Sequence, residues 1–142
     1  MDIERLIKTI AADETFSPTA YWDVDHYSIG FGTPAIGPSS VISFKEAWSI
    51  MEARVVQAIR EYEDIFREEL PLINDVRAEC LVNMLYNLGK TRFLGFHRML
   101  RYIRRFDWMQ AAYEAQDSKW FKQTGNRAKR IVRQLATGKR EE

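Results

Sequence analysis

Cysteine is nearly absent from this sequence: Cys80 stands alone among 142 residues. A single thiol cannot close a disulfide within the chain, and its apolar neighbours Leu81 and Val82 make it a small buried hydrophobe before they make it a nucleophile. Histidine is almost as scarce. His26 and His97 lie too far apart in sequence to suggest a metal site, so no metal is expected. Long apolar runs are also missing. None approaches the ~18 residues of a membrane helix, and the acidic start Met1-Asp2-Ile3-Glu4 is unlike a signal peptide. The expectation is a protein made soluble in a cytoplasm, without stable membrane insertion. Gly30-Phe31-Gly32 is followed by neither Lys-Ser/Thr nor a helix, which excludes a phosphate loop, and the serines lack the setting of a nucleophile elbow.

What is present is ample material for a core: four Trp, eight Phe and six Tyr in a chain that is 46% hydrophobic and 29% charged. One bilobed unit is expected. The net charge of +1 conceals an asymmetry. Residues 1–76 carry 6 basic and 14 acidic side chains, a net of −8, whereas residues 77–142 carry 15 and 6, a net of +9. A basic half can draw an anionic polymer toward a cleft. Arg98, Arg101, Arg104 and Arg105 read more simply as one solvated helical face, and a chain so evenly balanced is not the uniformly basic domain that nucleic-acid binding calls for.

Periodicity divides the chain. Ile3, Leu6, Ile7 and Ile10 fall at the i, i+3, i+4, i+7 spacing of one helical face, so a helix over Ile3 to Ala12 should end near Glu14. Ala20 to Asp23 and Tyr27 to Gly32 are short aromatic or β-branched runs separated by the polar Asp25-His26, which predicts a hairpin. Thr33 to Ser40, with prolines at 34 and 38, predicts a loop without regular structure. Ser43 to Glu63 predicts a long helix with a Ser43/Glu46 capping box and a stripe of Ala47, Ile50, Met51, Val55, Ala58, Ile59 and Tyr62. Val76 to Leu88 predicts a strongly apolar helix stopped by Gly89. Beyond it, Asp107 caps Trp108 to Ala115, Ser118 caps a turn around Trp120, and Asn126 caps Arg127 to Leu135. The class is α+β, mostly helical, with the strands confined to a small N-terminal lobe. Residues 13–42 form that lobe, 43–65 the connecting helix, and 66–142 with 1–12 the helical lobe.

Chemistry points to Glu14 and Asp23. The negative end of a helix macrodipole disfavours ionisation of a carboxyl placed there, so Glu14 suits a proton donor, while Asp23 in a polar turn stays ionised. Two carboxyls in unlike surroundings are what glycoside hydrolysis uses. Taken alone, such a pair in a chain of this length is ordinarily two solvated surface acids.

The pattern of Glu14, eight residues, Asp23, four residues, and Ser28 within Tyr27-Ser28-Ile29-Gly30-Phe31-Gly32 resembles the phage-type lysozymes. A second block is similar to their C-terminal lobe: Arg77-Ala78, Asn83-Met84, Gly89, Gly95-Phe96, Met99-Leu100, Trp108, Ala111-Ala112, then Ser118 through Arg130 with Gln123-Thr124-Gly125-Asn126-Arg127-Ala128-Lys129-Arg130. Residues 44–72 match only in helical character.

The resemblance implies a lysozyme-like fold and a cofactor-free peptidoglycan muramidase, an endolysin cutting the β-1,4 bond between N-acetylmuramic acid and N-acetylglucosamine. By the same resemblance Glu14 is the acid, Asp23 the base or stabilising carboxylate, and Ser28 the hydroxyl orienting an attacking water. Arg127 tunes the acid, and Tyr27, Phe31, Asn87 and Trp120 are candidates for the sugar cleft. A monomer is expected, made in the host cytoplasm and acting on the wall for lysis. The alternative is a lysozyme-fold protein with weakened or lost catalysis that binds glycan or a protein partner. Three departures from the pattern motivate it. Thr15 stands where a glycine usually follows the catalytic Glu, Thr33 replaces a histidine, and the Asp23 to Ser28 loop is one residue shorter than the pattern implies.

Overall fold

The structure, a computed structural model, describes residues 1–141. It is α+β, with a three-stranded antiparallel sheet in order β1-β2-β3 and eight α-helices among the described residues. The chain divides into two compact units, one of residues 2–57, the other of Ala58 onward together with Met1.

The first unit holds α1 (Ile3–Glu14), β1 (Ser17–Asp23), β2 (His26–Gly30), β3 (Thr33–Pro34) and the first turns of α2 (Phe44–Ile65). Asp2 caps α1 by accepting from the Arg5 amide at 3.0 Å, and Leu6 and Ile10 are its fully buried positions. The long helix opens on the expected Ser43/Glu46 pair: the Glu46 amide donates to Ser43 Oγ at 3.1 Å, and the Ser43 hydroxyl donates to Glu46 Oε1 at 2.9 Å. Its buried stripe is narrower than the sequence suggests. Ala47, Met51, Val55, Ala58 and Tyr62 are buried at steps of three and four, whereas Ile50 is exposed. Phe16, Phe31, Phe44 and Trp48 form an aromatic cluster with ring centroids 5.2–5.9 Å apart, mostly edge to face as ring quadrupoles prefer.

Two expectations change in the sheet. The turn of the hairpin is Val24-Asp25, not Asp25-His26, because Asp23 and His26 are paired and β2 begins at His26. A two-residue turn needs positive φ, and Val24 supplies it at 60° despite its branched Cβ. The segment after Gly32 also does form a strand, since Ser28 pairs with Pro34 and Ile29 with Thr33. Proline is tolerated because β3 lies at the end of the strand order, where no further ladder needs its missing N–H.

The second unit is built on α3 (Asp75–Leu88), where every residue from Ala78 to Tyr86 is buried. Around it come α4 (Lys90–Leu94), α5 (His97–Arg104), α6 (Trp108–Gln116), α7 (Lys119–Thr124) and α8 (Asn126–Thr137), with α3 and α6 both packed on α8. Gly89 ends α3 at φ 82°, and Asn74, Asp107 and Ser118 cap α3, α6 and α7 as acceptors. The expected Asn126 cap is instead the first residue of α8, with Gly125 before it and no side-chain cap. Arg77 closes the far end of that helix. Its Nε and Nη2 donate to the carbonyls of Leu135 and Ala136 at 2.8 and 2.9 Å, a cation where the macrodipole is negative, and its guanidinium stacks on Trp108. Arg104 departs from the simple solvated face, since it donates to the buried Glu69 at 2.6 Å.

Candidate active site

Glu14 is the last residue of α1, half-buried, as the periodicity required. The chain leaves the helix through Thr15 at φ 52° and ψ 147°, a region hostile to a β-branched residue. Local bonds hold it there. The Thr15 amide donates to the Ala11 carbonyl at 3.0 Å and its hydroxyl to the Glu14 carbonyl at 2.7 Å. The carboxyl of Glu14 lies against Gly32, which has φ +79° and whose missing side chain leaves the space that the carboxyl occupies.

The hairpin builds the second half of the site. Residues two apart on a strand share a face, and directly paired residues share it across strands. Tyr21 is paired with Ser28 and Asp23 with His26, which puts Tyr21, Asp23, His26 and Ser28 on one face and the paired Trp22 and Tyr27 on the other. On the first face Ser28 Oγ donates to Asp23 Oδ2 at 3.3 Å and lies 3.1 Å from His26 Nε2, while His26 Nδ1 lies 2.7 Å from Asp25 Oδ1. Ser28 has 0% exposure. Its hydroxyl therefore faces Asp23 and His26 and not open solvent.

On the opposite face Trp22 and Tyr27 meet edge to face at 5.1 Å, and Trp22 is 61% exposed. Phe31 is buried in the aromatic cluster of its own unit. In the second unit Trp120 is likewise buried and donates its indole N–H to Asn87 Oδ1 at 2.7 Å, so these two expected residues are joined to each other. Arg127, buried in the first turn of α8, donates from Nε and Nη2 to Asn83 Oδ1 at 3.0 and 2.7 Å. A guanidinium held through two of its nitrogens keeps a fixed direction.

Sequence reasoning passed over His26, Asp25, Gly32 and Trp22. The signal for His26 was present: it stands two residues before Ser28, a same-face spacing once both are placed on a strand.

The geometry agrees with comparison to known proteins. A protein-family model described as phage lysozyme matches residues 11–141. A probable T4-type lysozyme of Dictyostelium discoideum is 32% identical over 66 residues, covering 46% of this chain and 39% of that protein. The peptidoglycan hydrolase gp36 of Pseudomonas phage phiKMV is 26% identical over 95% of this chain and 15% of its own length. The pre-baseplate central spike protein Gp5 of Enterobacteria phage T4 is 24% identical over 94% of this chain and 28% of its own length. The chain thus spans well under two thirds of each of these relatives. With Glu14 at a helix end, Asp23 tied to a hydroxyl in the following hairpin, and the family match running through the last helix, the chain belongs to the phage lysozyme family.

Proposed function

We propose that this chain hydrolyses peptidoglycan as a glycoside hydrolase, a muramidase acting on the β-1,4 bond between N-acetylmuramic acid and N-acetylglucosamine. The observation that carries this reading is a pair of carboxyls in unlike surroundings: Glu14 in the last turn of α1 against Gly32, and Asp23 at the end of β1 beside the hydroxyl of a buried serine. Glu14 protonates the departing sugar oxygen. Asp23 is the base or stabilising carboxylate, and Ser28 is the hydroxyl that orients the attacking water. The guanidinium of Arg127 is the cation that tunes the acid, and Tyr27, Phe31, Asn87 and Trp120 are candidates for the sugar site. The reaction needs no cofactor. The protein acts as a monomer on the bacterial wall, in the release of phage from its host.

The test is the clearing of permeabilised bacteria and the release of reducing ends from purified wall. Glu14→Gln keeps size and hydrogen bonding but cannot supply the proton, so activity should fall at least ~10²-fold with the fold intact. A Glu14→Gln variant that clears cells at the wild-type rate would exclude Glu14 as the acid.

The second reading, a wall-binding protein with weakened catalysis, is favoured by the strained Thr15 beside Glu14. Co-sedimentation of the folded wild-type protein with insoluble wall, without release of reducing ends, is the result that would select it.

A further inference from the structure

Asp25, His26, Ser28 and Asp23 form a continuous hydrogen-bonded row, with successive separations of 2.7, 3.1 and 3.3 Å. The first two match the distances of an Asp-His-Ser triad, but Ser28 has no exposure and faces a carboxylate, so no substrate carbon can reach it. What remains is a question of hydrogens. A serine hydroxyl carries one, and here two acceptors stand within its reach.

The tautomer of His26 decides between them. A carboxylate only accepts, so Asp25 holds the neutral ring with its hydrogen on Nδ1, leaving Nε2 bare. We propose that His26, clamped in this way, is a positioning residue that takes the Ser28 hydrogen and so leaves Asp23 the stronger base. This rests on the role given to Asp23 above. A carboxylate that accepts a hydrogen bond holds its charge more tightly and is less ready to take a proton. With the neutral ring, Ser28 donates to Nε2 and Asp23 is free to act. Protonation of the ring reverses the arrangement: Nε2 donates to Ser28 Oγ, the hydroxyl hydrogen turns to Asp23 Oδ2, and the base is weakened.

Charged and titratable groups stand on the elements next to the ring. Asp25 lies in the turn, Asp23 is its partner on β1, and Tyr21 is the partner of Ser28. The strand on the other side of β2 contributes only Thr33 and Pro34, and Thr33 Oγ1 accepts from Arg54 of α2 at 3.3 Å.

Steady-state rates on soluble peptidoglycan fragments test the assignment. His26→Ala should lower kcat about tenfold, the worth of one redirected hydrogen bond, with KM unchanged. His26→Gln, whose amide oxygen can accept from Ser28, should restore most of the rate. In a Ser28→Ala background, His26→Ala should cost nothing further, because the ring acts only through the hydroxyl. ¹⁵N NMR should find the neutral ring protonated at Nδ1. Additive losses in the double variant, or a neutral ring protonated at Nε2, overturn the proposal. An Asp23→Asn variant of undiminished activity removes the underlying role of Asp23 and the proposal together, whereas additive losses with Asp23→Asn inactive remove His26 alone.

Discussion

The carboxyl of Glu14 fills the space that a side chain at Gly32 would need: a Cβ there would stand 2.7 Å from Oε1 and 2.8 Å from Cδ and Oε2. The atoms displaced would be the far end of a flexible side chain, so the main conformational cost of Gly32→Ala comes from φ +79°, about 1–2 kcal/mol. Its effect on chemistry should be larger, since a catalytic group moved by about 1 Å can lose ~10² in rate. We therefore expect Gly32→Ala to lose roughly 100-fold in wall hydrolysis while denaturant melts show only that modest destabilisation. A variant losing stability and no activity would separate Gly32 from the acid.

Thr15 stores strain next to the same residue. Backbone in sparsely populated regions costs ~1–3 kcal/mol, and glycine adopts such angles freely. Thr15→Gly gives up an exposed hydrogen bond to the Glu14 carbonyl, so the expected net gain is about 1 kcal/mol, seen as a higher urea midpoint at unchanged slope. A lower midpoint would show that the threonine conformation is not strained.

Stereochemistry distinguishes two roles for Asp23. If Asp23 activates water, the reaction inverts, and the first sugar released from the β-linked chain is the α-anomer, observable by NMR before mutarotation. Inverting enzymes hold their carboxyls roughly 6.5–9.5 Å apart and retaining ones about 5–5.5 Å. The shortened turn between Asp23 and Ser28 is what exposes this expectation to failure. A β-anomer, or a glycosyl adduct trapped on Asp23, would make the carboxylate a nucleophile.

Cys80 should be inert in the native protein. It is 3% exposed, and burial pushes its thiol up to about 12, only partly offset by Gln134, which donates to Sγ at 3.5 Å. Between the ordinary thiol range and that value, the unfolded chain loses the proton and the native chain keeps it. Stability is therefore retained below about pH 8.5 and falls as pH rises toward 12, by at most about 1.4 kcal/mol per unit from this group. Urea unfolding at pH 8 and 10 should show wild type losing about 2 kcal/mol more than Cys80→Ala. At neutral pH a thiol reagent should modify the chain only at the rate of its opening.

Local sequence was enough to place most elements. The helix over α1, the apolar α3 and the stop at Gly89 follow from period and from which residues tolerate each cap, and these are decided within a few residues of chain. The same reasoning set the hairpin turn one residue late, because Val24 is a poor residue for positive φ and only pairing along the whole β1-β2 ladder forces it there. Pro34 likewise read as a loop until the strand order made it an edge.

Glu14, Asp23 and Ser28 were legible as a spacing, since one family motif carries all three. Their surroundings were not. That Gly32 makes room for Glu14, that Ser28 is fully buried between Asp23 and His26, that Trp120 binds Asn87 and Arg127 binds Asn83 are contacts between residues brought together by folding. A sequence determines such contacts through the register of strands and the packing of helices, and neither is written at any single position. Residue type told which side chains are able to accept or donate a hydrogen. Only the tertiary structure decided which partner each one meets, because a hydrogen bond depends on separations of tenths of an ångström that local propensity does not encode.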